Sequence, residues 1–362
     1  MTLPRSMALG AGVLLALWTG GSAFATPYAG EFLSTGIGAR PLGMGGAFVG
    51  LVDDATAAYW NPAALPRNEG RQLVYMHSER FRDLVNYDSG ALVLKPRERE
   101  DGGRSAFGIG FLMVSVPGIV FNTTDPDILK YIESGADGDF DTIDTDGTQG
   151  NGQLDPGERL DLDLLNATAQ EVTDRETGLF LSYGRTQVFR PELSVGASVK
   201  FVRKAVGSYA AWGMGLDVGA LYELRPGWVV GLNMQDITTT FLDWSGTPSE
   251  SREYISPTLK LGTAWTRELP RLRGSITAVC DVDFRFEKRK DQATVAFSIF
   301  SGDLRAGLEY LFRDTVALRV GSEEGRFTAG TGLRFRRLSF DYAFRGHADL
   351  EDTHRVSGGV AF

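Results

Sequence analysis

The residues with the most obvious chemistry sit in one acidic run, "DGDFDTIDTDGTQGNGQLDPGE", over 137–158. Calcium takes about six to eight hard oxygen ligands, and this run supplies carboxylates and amides in surplus. Asn151, Gln153, Asp155 and Glu158 follow the second half of an EF-hand-type loop, with Gly152 at the turn and Leu154 at the apolar place. The first half departs from that pattern. Gly147 stands where the opening Asp belongs, so Asp144 and Asp146 become ligands only across a short insertion. The expectation is a calcium loop; the alternative is a solvated acidic loop spread by like charge. The sequence calls for no obligate cofactor.

Catalytic constellations are missing. His77, His347 and His354 are scattered, and no nucleophile motif accompanies them. A Ser-His-Asp site needs a base that a third group holds in place. Gly213-x-Gly215 has no following helix and supports no dinucleotide site. Asn122 and Asn166 open short glycosylation-type matches of a kind that arises by chance. The reading is that the chain is not an enzyme.

The charge is uneven. The net charge is −9 over 362 residues, yet residues 125–163 hold twelve acids against Lys130 and Arg159. The remainder is near neutral, and no basic tract exists to neutralise a phosphate backbone, so nucleic acid is not an expected partner. The single cysteine, Cys280, excludes an internal disulfide framework and reads as a small apolar residue.

The first 25 residues read as an export signal. Arg5 precedes the apolar stretch Met7–Trp18, and Ala23-Phe24-Ala25 supplies a small-x-small cleavage site. That apolar stretch is too short for a membrane-spanning helix, and no later segment approaches the required length. Any spanning structure must therefore be a β-barrel.

From residue 71 the dominant signal is period two. Leu193, Val195, Ala197, Val199 and Phe201 share one face, with Ser194, Gly196, Ser198 and Lys200 on the other. Leu304, Ala306, Leu308, Tyr310 and Phe312 likewise oppose Arg305, Gly307 and Glu309. This pattern predicts strands at 71–78, 88–95, 104–116, 176–184, 192–202, 211–222, 227–235, 254–266, 274–284, 303–312, 315–321, 326–335, 337–345 and 354–362. Fourteen is an even number, as in single-chain outer-membrane barrels. With the first strand rising from the periplasm, the long connections, 117–175 above all, fall on the outer side. The glycine-rich second face carries Lys200, Asp217, Lys260, Arg305, Glu309, Arg319, Arg334 and Asp341, mixed charges that can pair in a lumen. Tyr222, Trp228, Trp265 and Phe312 fall near inner turns, where an interfacial aromatic girdle belongs. The fold expected is all-β: a transmembrane antiparallel barrel over 71–362, with the acidic insertion at 117–175 facing outward.

Residues 40–65, "RPLGMGGAFVGLVDDATAAYWNPAAL", precede the first strand and can fold back into such a barrel. Small residues allow close approach of backbones. Asp53 or Asp54 can cap a short helix through "ATAAYW", and Asn61–Pro62 then stops it.

This stretch resembles the hatch of the FadL-like (OMPP1/FadL/TodX) outer-membrane superfamily, and is most similar to its PorV/PorQ branch. "GLEYLF…ALRVG", "TAGTGLRF", "DYAF", "THRVS" and the terminal Phe362 resemble the same branch. The resemblance implies a hatch over 26–70, with Gly43, Met44, Gly45, Gly46, Asp53, Asp54, Asn61 and Pro62 as its motif. It implies that Phe362 marks the chain for barrel assembly in the bacterial outer membrane. It further implies a surface partner in type IX-like protein secretion, which binds secretion-apparatus proteins and exported cargo. The alternative it carries is a channel for hydrophobic compounds such as long-chain fatty acids.

Overall fold

A computed structural model describes residues 29–81, 84–121, 169–246, 252–285, 295–297, 300–347 and 352–362. The expected signal segment and the acidic run lie outside them. Residues 29–115 and 175–362 belong to one compact unit; 116–174 form a second, described only as the ends of two strands.

Fourteen antiparallel strands close into a barrel. They are β1 Gln72–Arg80, β2 Val85–Val93, β3 Arg104–Phe121, β4 Gln170–Arg185, β5 Leu193–Val206 and β6 Tyr209–Arg225. β7 runs Trp228–Gln235 and resumes over Thr240–Ser245, and β8 runs Arg252–Ile255 and resumes over Thr258–Leu269. β9 Gly274–Arg285, β10 Phe300–Phe312, β11 Val316–Glu323, β12 Arg326–Phe335, β13 Leu338–Arg345 and β14 Thr353–Ala361 complete the wall. Closure is the pairing of β1 with β14, from Gln72↔Ala361 to His77↔Val356. The last residue joins the seam, where Phe362 and Arg71 exchange backbone hydrogen bonds of 2.9 and 3.3 Å.

The wall is inside-out relative to a soluble protein. Leu304, Leu308, Leu318, Val320, Leu333 and Phe340 point outward and are exposed, while Arg305, Glu309, Arg319 and Asp341 point inward. An antiparallel barrel satisfies every backbone group within the sheet, so its outer face tolerates hydrocarbon. At the inner end, aromatic rings finish the apolar belt. Trp228 and Trp265 oppose each other across β7 and β8. Arg225 lies 4.6 Å over Trp228, Arg313 5.1 Å over Phe312 and Arg336 5.4 Å over Phe335, cationic groups set beside rings where lipid meets water.

Several boundaries differ from the sequence reading for one physical reason. Backbone ladders continue past the point where clean inward–outward alternation ends. β3 and β4 therefore extend beyond 116 and before 176, and the expected loop 203–210 shrinks to a turn at Gly207-Ser208. The expected outer loop 236–253 contains strand at both ends.

Candidate functional site

Residues 29–70 build a small apolar body of short helices. α1 Glu31–Ser34, α2 Ala39–Gly43 and α3 Ala57–Trp60 precede a 3₁₀ helix over Pro62–Arg67. Phe48, Tyr59, Trp60 and Leu65 are buried, and Tyr59 meets Trp60 edge-to-face at 5.0 Å. The Tyr59 hydroxyl donates to the Leu33 carbonyl at 2.5 Å, and Trp60 Nε1 donates to the Ile37 carbonyl at 2.9 Å.

This body packs on the inner wall through matched glycines. A β-carbon at 307 would lie 2.6 Å from the Met44 β-carbon, and one at 321 would lie 2.6 Å from the Gly45 nitrogen. Gly330 faces Gly43, and Gly262 faces Gly50 in the same way. The motif glycines have their own requirement: Gly45 and Gly46 hold φ of +71° and +72°, a left-handed region that favours glycine. Phe48 N and Val49 N both donate to Asp281 Oδ2 on β9, at 2.6 and 2.8 Å.

Asn61 is the hub. Its Nδ2 lies within hydrogen-bond reach of the carbonyls of Val49, Ala220 and Leu232 at 3.0, 3.2 and 3.3 Å, while Oδ1 accepts from Ala63 N at 3.2 Å. Its backbone is extended, with φ −166°, and α3 ends there; Pro62 opens the 3₁₀ turn.

The two aspartates do not cap α3. The residue before that helix is Thr56, whose side chain makes no cap bond. Asp54 instead folds the preceding turn by accepting from Thr56 N at 2.9 Å, because a short carboxylate reaches its own backbone two residues on. Burial raises the Asp54 carboxyl above its ordinary value, while Arg40 pulls it back down. Asp53 is exposed and pairs with Arg40, which also reaches Glu309 on β10 at 2.9 Å.

Inward charges gather into separate ion-paired groups. Lys200 pairs with Asp217 at 2.9 Å and with Asp236 at 2.6 Å. Lys260 and Arg305 share Asp283 at 3.6 and 3.5 Å. Arg319 pairs with Glu309 at 2.6 Å and with Asp341 at 2.7 Å. Arg334 is half-buried beside the inner mouth, where it lines a cavity of about 220 Å³ with Arg40, Asp54 and Asp341.

Sequence reasoning missed a break in the wall. Four residues, 236–239, leave the β7 ladder opposite Ser256-Pro257 of β8. Between Met234 and Phe241, β7 carries three residues more than the facing stretch of β6, Val218 to Met214. Asp236 and Thr239 take positive φ of 54° and 56°. An inward Asp236 pins the bulge, accepting from Lys200 Nζ at 2.6 Å while its own N donates to Asp217 Oδ1 at 2.8 Å. Gly215 leaves room for this knot; a β-carbon there would lie 2.8 Å from Lys200 Cε. A cavity of about 50 Å³ sits beside the break, lined by Leu33, Tyr59, Phe180, Lys200, Asp236 and Ile255. The missed signal is a change of parity. Inward residues are odd at 231, 233 and 235 and even at 240 and 242; on β8 they pass from Ile255 to Lys260 and Gly262.

The proposed calcium ligands Asp144, Asp146, Asn151, Gln153, Asp155 and Glu158 lie outside the described residues. Among the described residues, no group of three or more His, Cys, Asp or Glu side chains is placed to hold a metal. His77 faces Asp88 at 2.8 Å and His354 faces the Tyr342 hydroxyl at 2.6 Å. Cys280 is exposed on the outward face.

A closed antiparallel barrel with an apolar exterior, a charged interior and an interfacial aromatic belt is a bacterial outer-membrane protein. Its fold is shared by solved monoaromatic hydrocarbon channels of the outer membrane. The toluene transporter TodX of P. putida aligns over 90% of this chain and 99% of its own, at 14% identity and a TM-score of 0.51. A CymD monoaromatic hydrocarbon channel aligns over 90% of this chain and 98% of its own, at 13% identity and a TM-score of 0.52. No protein-family model and no curated protein matches the chain in sequence.

Proposed function

We propose that this protein is a non-enzymatic outer-membrane channel that admits small hydrophobic molecules, with residues 29–70 as its hatch. The observation that carries the reading is the break in β7 and β8 beside that segment. The interrupted ladder weakens the wall where Leu33, Tyr59, Phe180 and Ile255 gather, so an apolar molecule has a side route between lumen and bilayer. The likeness to hydrocarbon channels favours this reading over the secretion role that the sequence resemblance implied. In the present conformation the route is closed by the packed hatch and by the Lys200–Asp236 pair.

The test is to mend the wall. Removing residues 237–239 together with Pro257 restores equal residue counts on both sides of β7. The variant is expected to assemble in the outer membrane while toluene or fatty-acid uptake into cells carrying it falls to the level of a deletion strain. Unchanged uptake in the mended variant overturns the reading. A second reading, a surface partner in secretion, draws on the charge-packed lumen and the long acidic insertion; envelope proteins co-purifying with the barrel while uptake stays normal would favour it.

A further inference from the structure

Among the described residues, one corner of the lumen gathers guanidinium groups with too few carboxylates to pair them. Arg80 on β1, Arg345 on β13 and Arg355 on β14 stand on three adjacent strands toward the outer end of the lumen. Arg355 pairs in register with Ala343, and Arg345 with Thr353, which places the two guanidinium-bearing residues two positions apart along neighbouring inner faces. The Ser78 hydroxyl donates to the His354 carbonyl at 2.8 Å, so Arg80 lies just beyond Arg355 at the seam. One carboxylate faces them: Glu323 lies 2.9 Å from Arg345 and is shared with Arg305 at 3.8 Å.

Arg355 is 1% exposed, yet its Nε and Nη1 have no hydrogen-bond partner. Nε and Nη2 of Arg80 and Nε of Arg345 are equally unpartnered. Among the described residues, neither Arg80 nor Arg355 has an ion pair. Arg80 lies 5.1 Å over the Tyr87 ring, which positions it without neutralising it. Among the described residues, other buried cations of the lumen have a carboxylate within 4 Å, as Lys200 has Asp217 and Arg319 has Glu309 and Asp341. Buried cations left with unused donors are costly to a fold unless something supplies the counter-charge.

We propose that Arg80, Arg345 and Arg355 form a binding site for a small oxyanion, a carboxylate or a phosphate, in the outer part of the lumen. Guanidinium forks match the two oxygens of such a group, and the five unused donors belong to three adjacent strands, with Arg80 half-buried. The site stands independently of the hydrocarbon reading, because its chemistry selects charge rather than apolar surface. The anion is either free in the medium or the head of an amphiphile.

The experiment uses the full-length barrel in neutral detergent and follows thermal unfolding as inorganic phosphate, octanoate, octanol or chloride is titrated at fixed ionic strength. Phosphate or octanoate is expected to raise the wild-type unfolding temperature saturably while chloride leaves it unmoved, and octanol, which carries no charge, is expected to act equally on wild type and Arg355→Gln. A response to phosphate alone identifies a free oxyanion; a response to octanoate alone identifies an amphiphile head. Arg355→Gln is expected to weaken the response by about tenfold or more, the loss of a charge-assisted hydrogen-bonding group. It is also expected to unfold no lower than the wild type without anion, since an unpaired buried charge has been removed. Arg80→Gln, at the rim, reads the same loss should Arg355→Gln fail to assemble. No saturable shift with either anion, or an equal shift in both variants, overturns the site.

Discussion

The amide oxygen of Asn61 occupies the space that a β-carbon at position 219 would need. The wall residue is glycine because the N-terminal segment puts a side chain there, and the contact lets Asn61 reach the facing carbonyls of Ala220 and Leu232. Gly219→Val is expected to push residues 61–63 off β6 without unmaking the outer face, and limited proteolysis of the detergent-solubilised barrel should then cut within 40–65. Asn61→Leu leaves three buried carbonyls without this donor and is expected to cost about 1–3 kcal/mol, read from the urea midpoint.

Arg319 stands between Glu309 and Asp341, and Gly332 clears the room for its guanidinium, whose Nη2 lies 2.8 Å from where a β-carbon would sit. Arg319→Met is expected to destabilise by about 3–5 kcal/mol, because two carboxylates lose the same partner. Adding Asp341→Asn, which removes the carboxylate left without a cation while Glu309 keeps Arg40, should restore part of that loss, and a double variant as unstable as the single one would contradict the account.

His347 lies in the outer connection between β13 and β14. Burial, and then the field of Arg345, Arg326, Arg355 and Arg80, holds its imidazole below the ordinary 6.5. A lowered folded value means that the native state favours the neutral ring. The corresponding stability is present above pH 6.5 and declines as pH falls through the lower folded value. His347→Gln should flatten that part of the unfolding-temperature profile between pH 7.5 and about 5. A profile identical to wild type would show that the ring carries none of it.

The acidic run 137–158 is expected to bind calcium through Asp144, Asp146, Asn151, Gln153, Asp155 and Glu158. Protease should cut the insertion in chelator and spare it in millimolar calcium, with Glu158→Gln cut in both. Equal digestion in both conditions would leave the run a solvated acidic loop.

Strand count and face assignment were legible because period two is local: each inward Lys200 or Arg305 is flanked by outward apolar neighbours, and the chemistry of lipid fixes which face is which. The mixed lumen charges were legible for the same reason. Their partners were not: Lys200 finds Asp236 across a bulge, and Arg40 finds Glu309 across 269 positions of chain. The breaks at 236–239 and 256–257 appeared only as a loss of pattern, since a bulge shifts parity without leaving a motif.

By itself the sequence determined a glycine- and aromatic-rich strand repeat whose apolar face must meet lipid, and a small-residue segment ahead of it. The tertiary structure decided which wall glycine receives which backbone, where the ladder parts beside Asp236, and that Arg80, Arg345 and Arg355 share one corner of the lumen. Alternation is written residue by residue along the chain, whereas contact across a closed barrel depends on register between strands distant in sequence, and register is settled only when β1 meets β14.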